Sequence, residues 1–298
     1  MKDARSRDAE GLLYGLLGVL IFGLTLPTTR IAVAELDPIF VGLGRAVPAA
    51  LCAGVLLLVT RTRVPARKHW ANLAITSGGI VFGFPVFATV AMQTVPAAHG
   101  GVVLAVLPLA TAMAGSMFGG ERPSIAFWLF SLAGAALVFA FVVLRGGGFG
   151  GVEFGDLLLV IAVVCAAVGY AKGGVLARDL GGWQVICWAL VIAIPFLSLL
   201  VLLTAGPVNW DASMTAWSGF LYVAFFSQFL GFFAWNHGLA LGGIARVGQL
   251  QLVQPFVTLL ASVLLLSEQV GWIEVVFALA VVATVMAGRR TQVTRKAA

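Results

Sequence analysis

An all-α integral membrane protein is the fold class this sequence predicts, with ten transmembrane helices forming two inverted five-helix repeats around a central cavity. Three observations predict it. Of 298 residues, 61% are hydrophobic and 10% are charged, with a mean hydropathy of +1.05. The apolar residues come in long runs rather than in alternation. The second half of the chain echoes the first at a constant separation of 147 residues.

A soluble domain carries roughly 25% charged residues, so this chain lacks the polar side chains to cover a water-facing surface. A bilayer-spanning helix needs about 20 apolar residues, whereas strands of a membrane barrel alternate over roughly ten. Residues 51–59 (LCAGVLLLV), 190–203 (LVIAIPFLSLLVLL) and 275–287 (VVFALAVVATVMA) do not alternate. They read as helices, which satisfy their own backbone in lipid. Cys52, Cys165 and Cys187 each lie in an apolar run, without a CxxC or Cys/His cluster. They read as small packing residues, and neither a metal site nor a disulfide framework is expected. The charged start MKDARSRDAE precedes an apolar run too long for a signal-peptide core, so no cleavable leader is expected.

Spans are expected at about 10–32, 38–60, 70–93, 97–118 and 123–144, and then at 155–177, 182–204, 213–238, 244–266 and 269–288. The first carries Thr25, Pro27 and Thr28 towards its end, followed by Arg30. The third has Gly83 and Pro85, and the fourth opens with His99 and contains Pro108. The sixth holds Tyr170 and Lys172, followed by Gly173 and Gly174. In the eighth, SGFLYVAFFSQFLGFFAWNHG, the residues Gln228, Phe232 and Trp235 recur at i, i+4 and i+7 and so share a helical face. His237 lies at its end. The ninth contains VGQLQLVQPF, with Gln249, Gln251 and Gln254 leading into Pro255.

Orientation follows from Lys and Arg. With the amino terminus inside, fifteen fall on the inner side, and three (Arg30, Arg45 and Arg145) on the outer. Both termini are therefore expected in the cytoplasm. The net charge of +6 reflects this topology rather than nucleic-acid binding.

The repeat divides the chain at the glycine-rich RGGGFGGVEFGD (145–156), into residues 1–147 and 148–298. The 147-residue shift aligns Phe82 with Phe229, Gly101 with Gly248, Pro108 with Pro255, Thr111 with Thr258, Ala114 with Ala261 and Glu121 with Glu268. Five spans per half is an odd number, so the second copy enters the membrane the opposite way, as in many secondary transporters.

Paired broken helices point to the binding site of such proteins. Pro255 should free the carbonyl of Gln251, and Pro108 that of Leu104, because proline has no amide hydrogen. Gln251 and Gln254 lie about 60° apart on one face at 100° per residue. With a freed carbonyl they would form an uncharged polar wall. Interhelical hydrogen bonding and ordinary proline kinks account for such residues too. Lys172 suits either a protonatable role or snorkelling to the headgroups. No Asp or Glu falls at mid-membrane depth, so the buried carboxylate of a proton-driven drug antiporter is missing. No nucleotide-binding or hydrolase motif is present, so neither an enzyme nor a cofactor is expected.

The repeated PxxTxxAxxxxxxE, at Pro108–Glu121 and Pro255–Glu268, resembles the EamA repeat of the drug/metabolite transporter superfamily. Within it, YAKGGVLARDL (170–180) and FFAWNHGLALGGIARVGQLQLVQPF (232–256) are similar to the YddG-type aromatic amino-acid exporters. The resemblance implies a bacterial inner-membrane exporter of aromatic and other neutral amino acids, working by alternating access. It implies a cavity lined mainly by spans 1, 3, 4, 6, 8 and 9, with the remaining spans outside and spans 5 and 10 associated with homodimer contacts or scaffolding. The residues expected on the wall are Thr25, Tyr170, Gln228, Phe232, Trp235, Gln249, Gln251 and Gln254. Pro27, Pro85, Pro108, Pro255, Gly173 and Gly174 are expected hinges, and His99, His237 and Lys172 are the protonatable candidates. Facilitated diffusion is the expected mechanism. The rival expectations are export of another metabolite or a planar cationic drug, and an intramembrane enzyme or scaffold.

Overall fold

The computed structural model describes residues 4–119, 121–122, 125–145, 153–204, 206–242, 247–289 and 294–295. Among the described residues, seven helical stretches are long and apolar enough to cross a membrane: Ala9–Val33, Phe40–Val59, Arg67–Ala91, Ala97–Phe118, Phe154–Leu180, Gly182–Thr204 and Met214–Leu241. Shorter apolar helices, Leu132–Phe141, Leu250–Leu266 and Trp272–Thr284, stand where the fifth, ninth and tenth spans are predicted. Large apolar side chains such as Leu58, Leu202 and Leu264 are exposed along these helices, as a lipid-facing surface requires. The chain is a multi-pass membrane protein.

Several spans are interrupted, and the interruptions follow the sequence repeat. The third span consists of Arg67–Ser77, a π-helical segment Gly78–Gly83, and Phe84–Ala91. The eighth consists of Met214–Leu221, a π-helical segment Tyr222–Leu230, and Gly231–Gly242. Shifted by 147, the first π segment falls at 225–230, inside the second. The fourth span breaks between Ala97–Leu104 and Leu107–Gly119. The ninth runs as a 3-10 helix, Gly248–Val253, before Gln254–Leu266. Pro108 and Pro255 are each the second residue of the helix after the break, where a missing amide costs no hydrogen bond.

The first span also breaks, at Leu24 between Ala4–Gly23 and Thr25–Val33. Pro27 removes the donor for the carbonyl of Gly23. That carbonyl instead accepts from the Thr258 hydroxyl of the ninth span at 2.8 Å. The Thr28 hydroxyl donates to the Leu24 carbonyl at 2.7 Å. In the second half, the freed carbonyl expected at Gln251 accepts from the amide of Gln254 in the 3-10 turn. It is therefore not left bare for a substrate, which corrects that expectation. The sixth span is a single helix, Phe154–Leu180, running unbroken through Gly173 and Gly174.

Glycines bring the spans together. A Cβ on Gly79 would collide with the Cys165 carbonyl and meet the Gly169 Cα at 2.9 Å, so the third and sixth spans approach backbone to backbone. Such close approach is how helices pack in lipid, where no hydrophobic force separates apolar side chains from apolar tails. Helices Ile125–Arg145 and Trp272–Arg289 pack on each other through rings such as Phe141 and Phe277, 5.4 Å apart. Glu121–Arg122 and Thr294–Arg295 add a short antiparallel pairing. Residues 146–152 of the glycine-rich loop at 145–156, and the side chain of Gln249, lie outside the described residues.

The rims carry carboxylates with defined duties. Glu268, the acid closing the second copy of the repeated motif, accepts from the amides of Ala97 and Ala98 at 2.9 Å each. It also meets Arg30 Nε at 3.3 Å. It thus neutralises the positive end of the half-helix Ala97–Leu104. Glu35 accepts from the hydroxyl and the amide of Ser213, which hold its carboxyl below the usual carboxylate range.

Candidate functional site: a central cavity with one buried cation

Where the broken spans meet, an internal cavity opens. Its apolar wall is Phe22 from the first span, Ile80 and Phe84 from the third, and Phe232 from the eighth. Its polar wall is Thr25, Arg45, Tyr170, Ser227 and Gln254. The space among them is narrow and admits little more than a water molecule. A substrate the size of an amino acid therefore enters only as side chains or half-helices yield.

The aromatic residues form one cluster. Phe22 stacks near Tyr170 with centroids 6.3 Å apart and an 18° interplanar angle, and tilts on Phe232 at 4.9 Å. Trp235 stands behind them, fully buried, with its centroid 5.8 Å from that of Tyr170. It supports the wall without lining it. Thr25 and Ser227 join across the cavity through their hydroxyls at 2.8 Å, tying the first span to the π segment of the eighth.

The glutamines separate by role. Gln254 lines the cavity, and its Oε1 has no hydrogen-bond partner among the described residues. Gln251 is buried outside the lining, with both amide atoms unpartnered among the described residues. Gln228 does not reach the lining; its Nε2 donates to the Ile80 carbonyl at 3.1 Å, pinning one π segment to the other.

The protonatable candidates lie away from the cavity. His99 Nε2 and Asp156 Oδ1 are 2.8 Å apart and both residues are buried. The His99 ring rests 4.7 Å from Phe141. Asp156 also accepts from the amide of Glu153, at the start of the sixth span. His237 meets Tyr14 edge-on at 4.7 Å. The Lys172 ammonium sits 4.4 Å from the centroid of the Phe118 ring. Pro85 is buried just after the π segment, and Gly173 packs on Thr76.

Sequence reasoning missed Arg45. Counting basic residues placed it at the outer rim, but it is 2% exposed and lines the cavity. Among the described residues its Nε has no partner, and no carboxylate lines the cavity. The wall is therefore not neutral, as expected, but carries one cation. Burying a charge without a counter-ion costs several kcal/mol even after relaxation, so chains keep such residues for function. The signal was available: an arginine seven residues into an apolar run, in FVGLGRAVPAA, is anomalous in itself. Spans 1, 2, 3, 6, 8 and 9 supply the lining; span 2 replaces the expected span 4.

Comparison with known proteins places this geometry. The EamA-like transporter family matches the chain twice, over residues 9–144 and 153–287. The uncharacterized transporter YdeK of Bacillus subtilis (strain 168) is 44% identical over 286 residues, covering 96% of this chain and 99% of that protein. A second Bacillus subtilis (strain 168) protein, the uncharacterized transporter YyaM, is 23% identical and covers 83% of each chain. A crystal structure at 20% identity superposes with a TM-score of 0.66 over 95% of this chain and 96% of its own, which shows a shared fold. Broken and π-helical spans recurring at the repeat distance, a cavity where they meet, and two family matches agree: the chain belongs to the EamA-like transporter family, and it is a transporter rather than an enzyme.

Proposed function

We propose that this transporter moves aromatic and other neutral amino acids out of a bacterial cytoplasm, across the inner membrane, by alternating access. The observation that carries the reading is the cavity wall: a cluster of Phe22, Tyr170 and Phe232 facing polar groups, with no carboxylate among them. Aromatic faces suit a flat side chain. The unpartnered Gln254 Oε1 suits a substrate amine, since an amide oxygen accepts only. A planar cationic drug would need an anionic partner in the cavity, and the lining offers it an arginine instead. The resemblance read from residues 170–180 and 232–256 implies the same substrate class. Both termini face the cytoplasm in this reading, and the two repeats rock against each other about their breaks.

The reading is tested by uptake of labelled tryptophan, threonine and methionine into proteoliposomes, with and without a proton gradient. Saturable uptake without a gradient is expected, consistent with facilitated diffusion. Lack of uptake of every amino acid by folded protein would remove the substrate class.

A further inference from the structure

We propose that Arg45 is the anchor for a substrate carboxylate, so that this transporter selects anionic or zwitterionic carboxylates and rejects cations. The inference rests on the transporter reading of the same cavity and adds its charge rule. Arg45 follows a π-helical turn, Phe40–Gly44, and immediately precedes the helix Ala46–Val59 without a side-chain capping bond. That turn delivers the arginine inward instead of to the rim. The residue is 2% exposed, it lines the cavity, and it makes no hydrogen bond or ion pair among the described residues.

Four carboxylates at the span ends have partners of their own. Glu268 holds Arg30 and two helix amides. Asp156 holds His99. Glu35 holds Ser213, and Asp37 accepts from the amide of Phe40 at 2.7 Å. Arginine keeps its charge in any protein environment, and its planar fork matches a carboxylate in two parallel hydrogen bonds. The missing counter-ion is thus supplied by what the cavity binds. In the same cavity, Gln254 Oε1 is an acceptor without a partner among the described residues. A cation and an unpartnered acceptor lining one cavity complement an α-amino acid's carboxylate and ammonium, with its side chain on the aromatic cluster.

The test follows thermal unfolding of the purified full-length protein with five probes. These are tryptophan, indole-3-propionate (carboxylate without amine), tryptamine (amine without carboxylate), inorganic phosphate and tetraphenylphosphonium. Tryptophan and indole-3-propionate should raise the Tm of the native protein, and tryptamine and tetraphenylphosphonium should not. Arg45→Gln should weaken apparent carboxylate binding roughly 10- to 100-fold, with Arg45→Lys between the two. Without ligand, Arg45→Gln should melt at the same temperature or higher, because it removes an uncompensated charge.

Protection by tryptamine equal to that by tryptophan would overturn the proposal, as would protection by phosphate alone or by no carboxylate at all. So would a lower ligand-free Tm, or failure to fold, in Arg45→Gln, since either assigns the arginine a structural duty. Protection by indole-3-propionate without protection by tryptophan would uphold the anchor and remove the amino-acid reading. Tryptophan uptake into liposomes that tryptamine blocks equally well would do the reverse.

Discussion

Gln251 shows how much a single side chain can say. It is 1% exposed and neither end of its amide has a partner among the described residues. An unpartnered buried amide costs about 1–3 kcal/mol, and an apolar residue of similar size avoids that cost. Gln251→Met should therefore stabilise the folded protein by about 1–2 kcal/mol, visible as a higher Tm, while lowering transport. A variant that melts lower would mean that the amide is satisfied in the folded state. The sequence identified Gln254 and Gln251 as unusual, and that much was legible from polarity alone. It could not separate them, because Gln254 reaches the cavity and Gln251 lies outside its lining. Arg45 was misplaced for a related reason. Counting charges near span ends treats every arginine as a topological marker, whereas the π turn before it directs this one inward.

Irregular helical segments decide which faces meet. Gln228, Phe232 and Trp235 share a face on an ideal helix, yet Gln228 bonds the Ile80 carbonyl while Phe232 and Trp235 meet Phe22. The π segment Tyr222–Leu230 departs from the 3.6-residue period, so projections made at 100° per residue fail there. The proline breaks were legible, because proline chemistry is local. What fills them was not, because the partners come from spans far along the chain. Thr258 reaches Gly23 across 235 residues. Its repeat counterpart, Thr111, is buried with its hydroxyl unpartnered and belongs to the half whose partner span, Phe154–Leu180, is unbroken. Thr258→Val should destabilise the protein by about 1 kcal/mol, because it leaves the Gly23 carbonyl unmet. Thr111→Val should cost nothing or stabilise slightly. Denaturation of the two variants side by side checks this; equal losses would show that the asymmetry of the breaks carries no energy.

At the scale of the whole molecule, the two halves share a pattern but not a conformation. Both carry a π segment in the third span of the repeat and a break in the fourth. Only the first half breaks its first span. The common pattern was readable from aligned prolines, glycines, threonines and acids, which is why membrane fold, repeat and family were accessible from sequence. The difference between the halves was not readable, because it arises from packing between repeats. The acid of the repeated motif illustrates both. Its position at a span end could be read directly, but its duty at Glu268, capping the half-helix Ala97–Leu104 and pairing with Arg30, needed the fold. The site follows the same division: the aromatic and amide wall was foreseen in part, and its charge was not.

The central claim is that substrate passes through this cavity and is held by its wall. The most direct measurement is the initial rate of labelled tryptophan exchange in proteoliposomes loaded with unlabelled tryptophan. Native protein should be compared with Phe232→Ala and Gln254→Leu, each shown to be folded by its melting curve. Saturable exchange in native protein, reduced at least about tenfold in both variants, is the predicted result. Exchange at the native rate in both variants, or none in folded native protein, would contradict it.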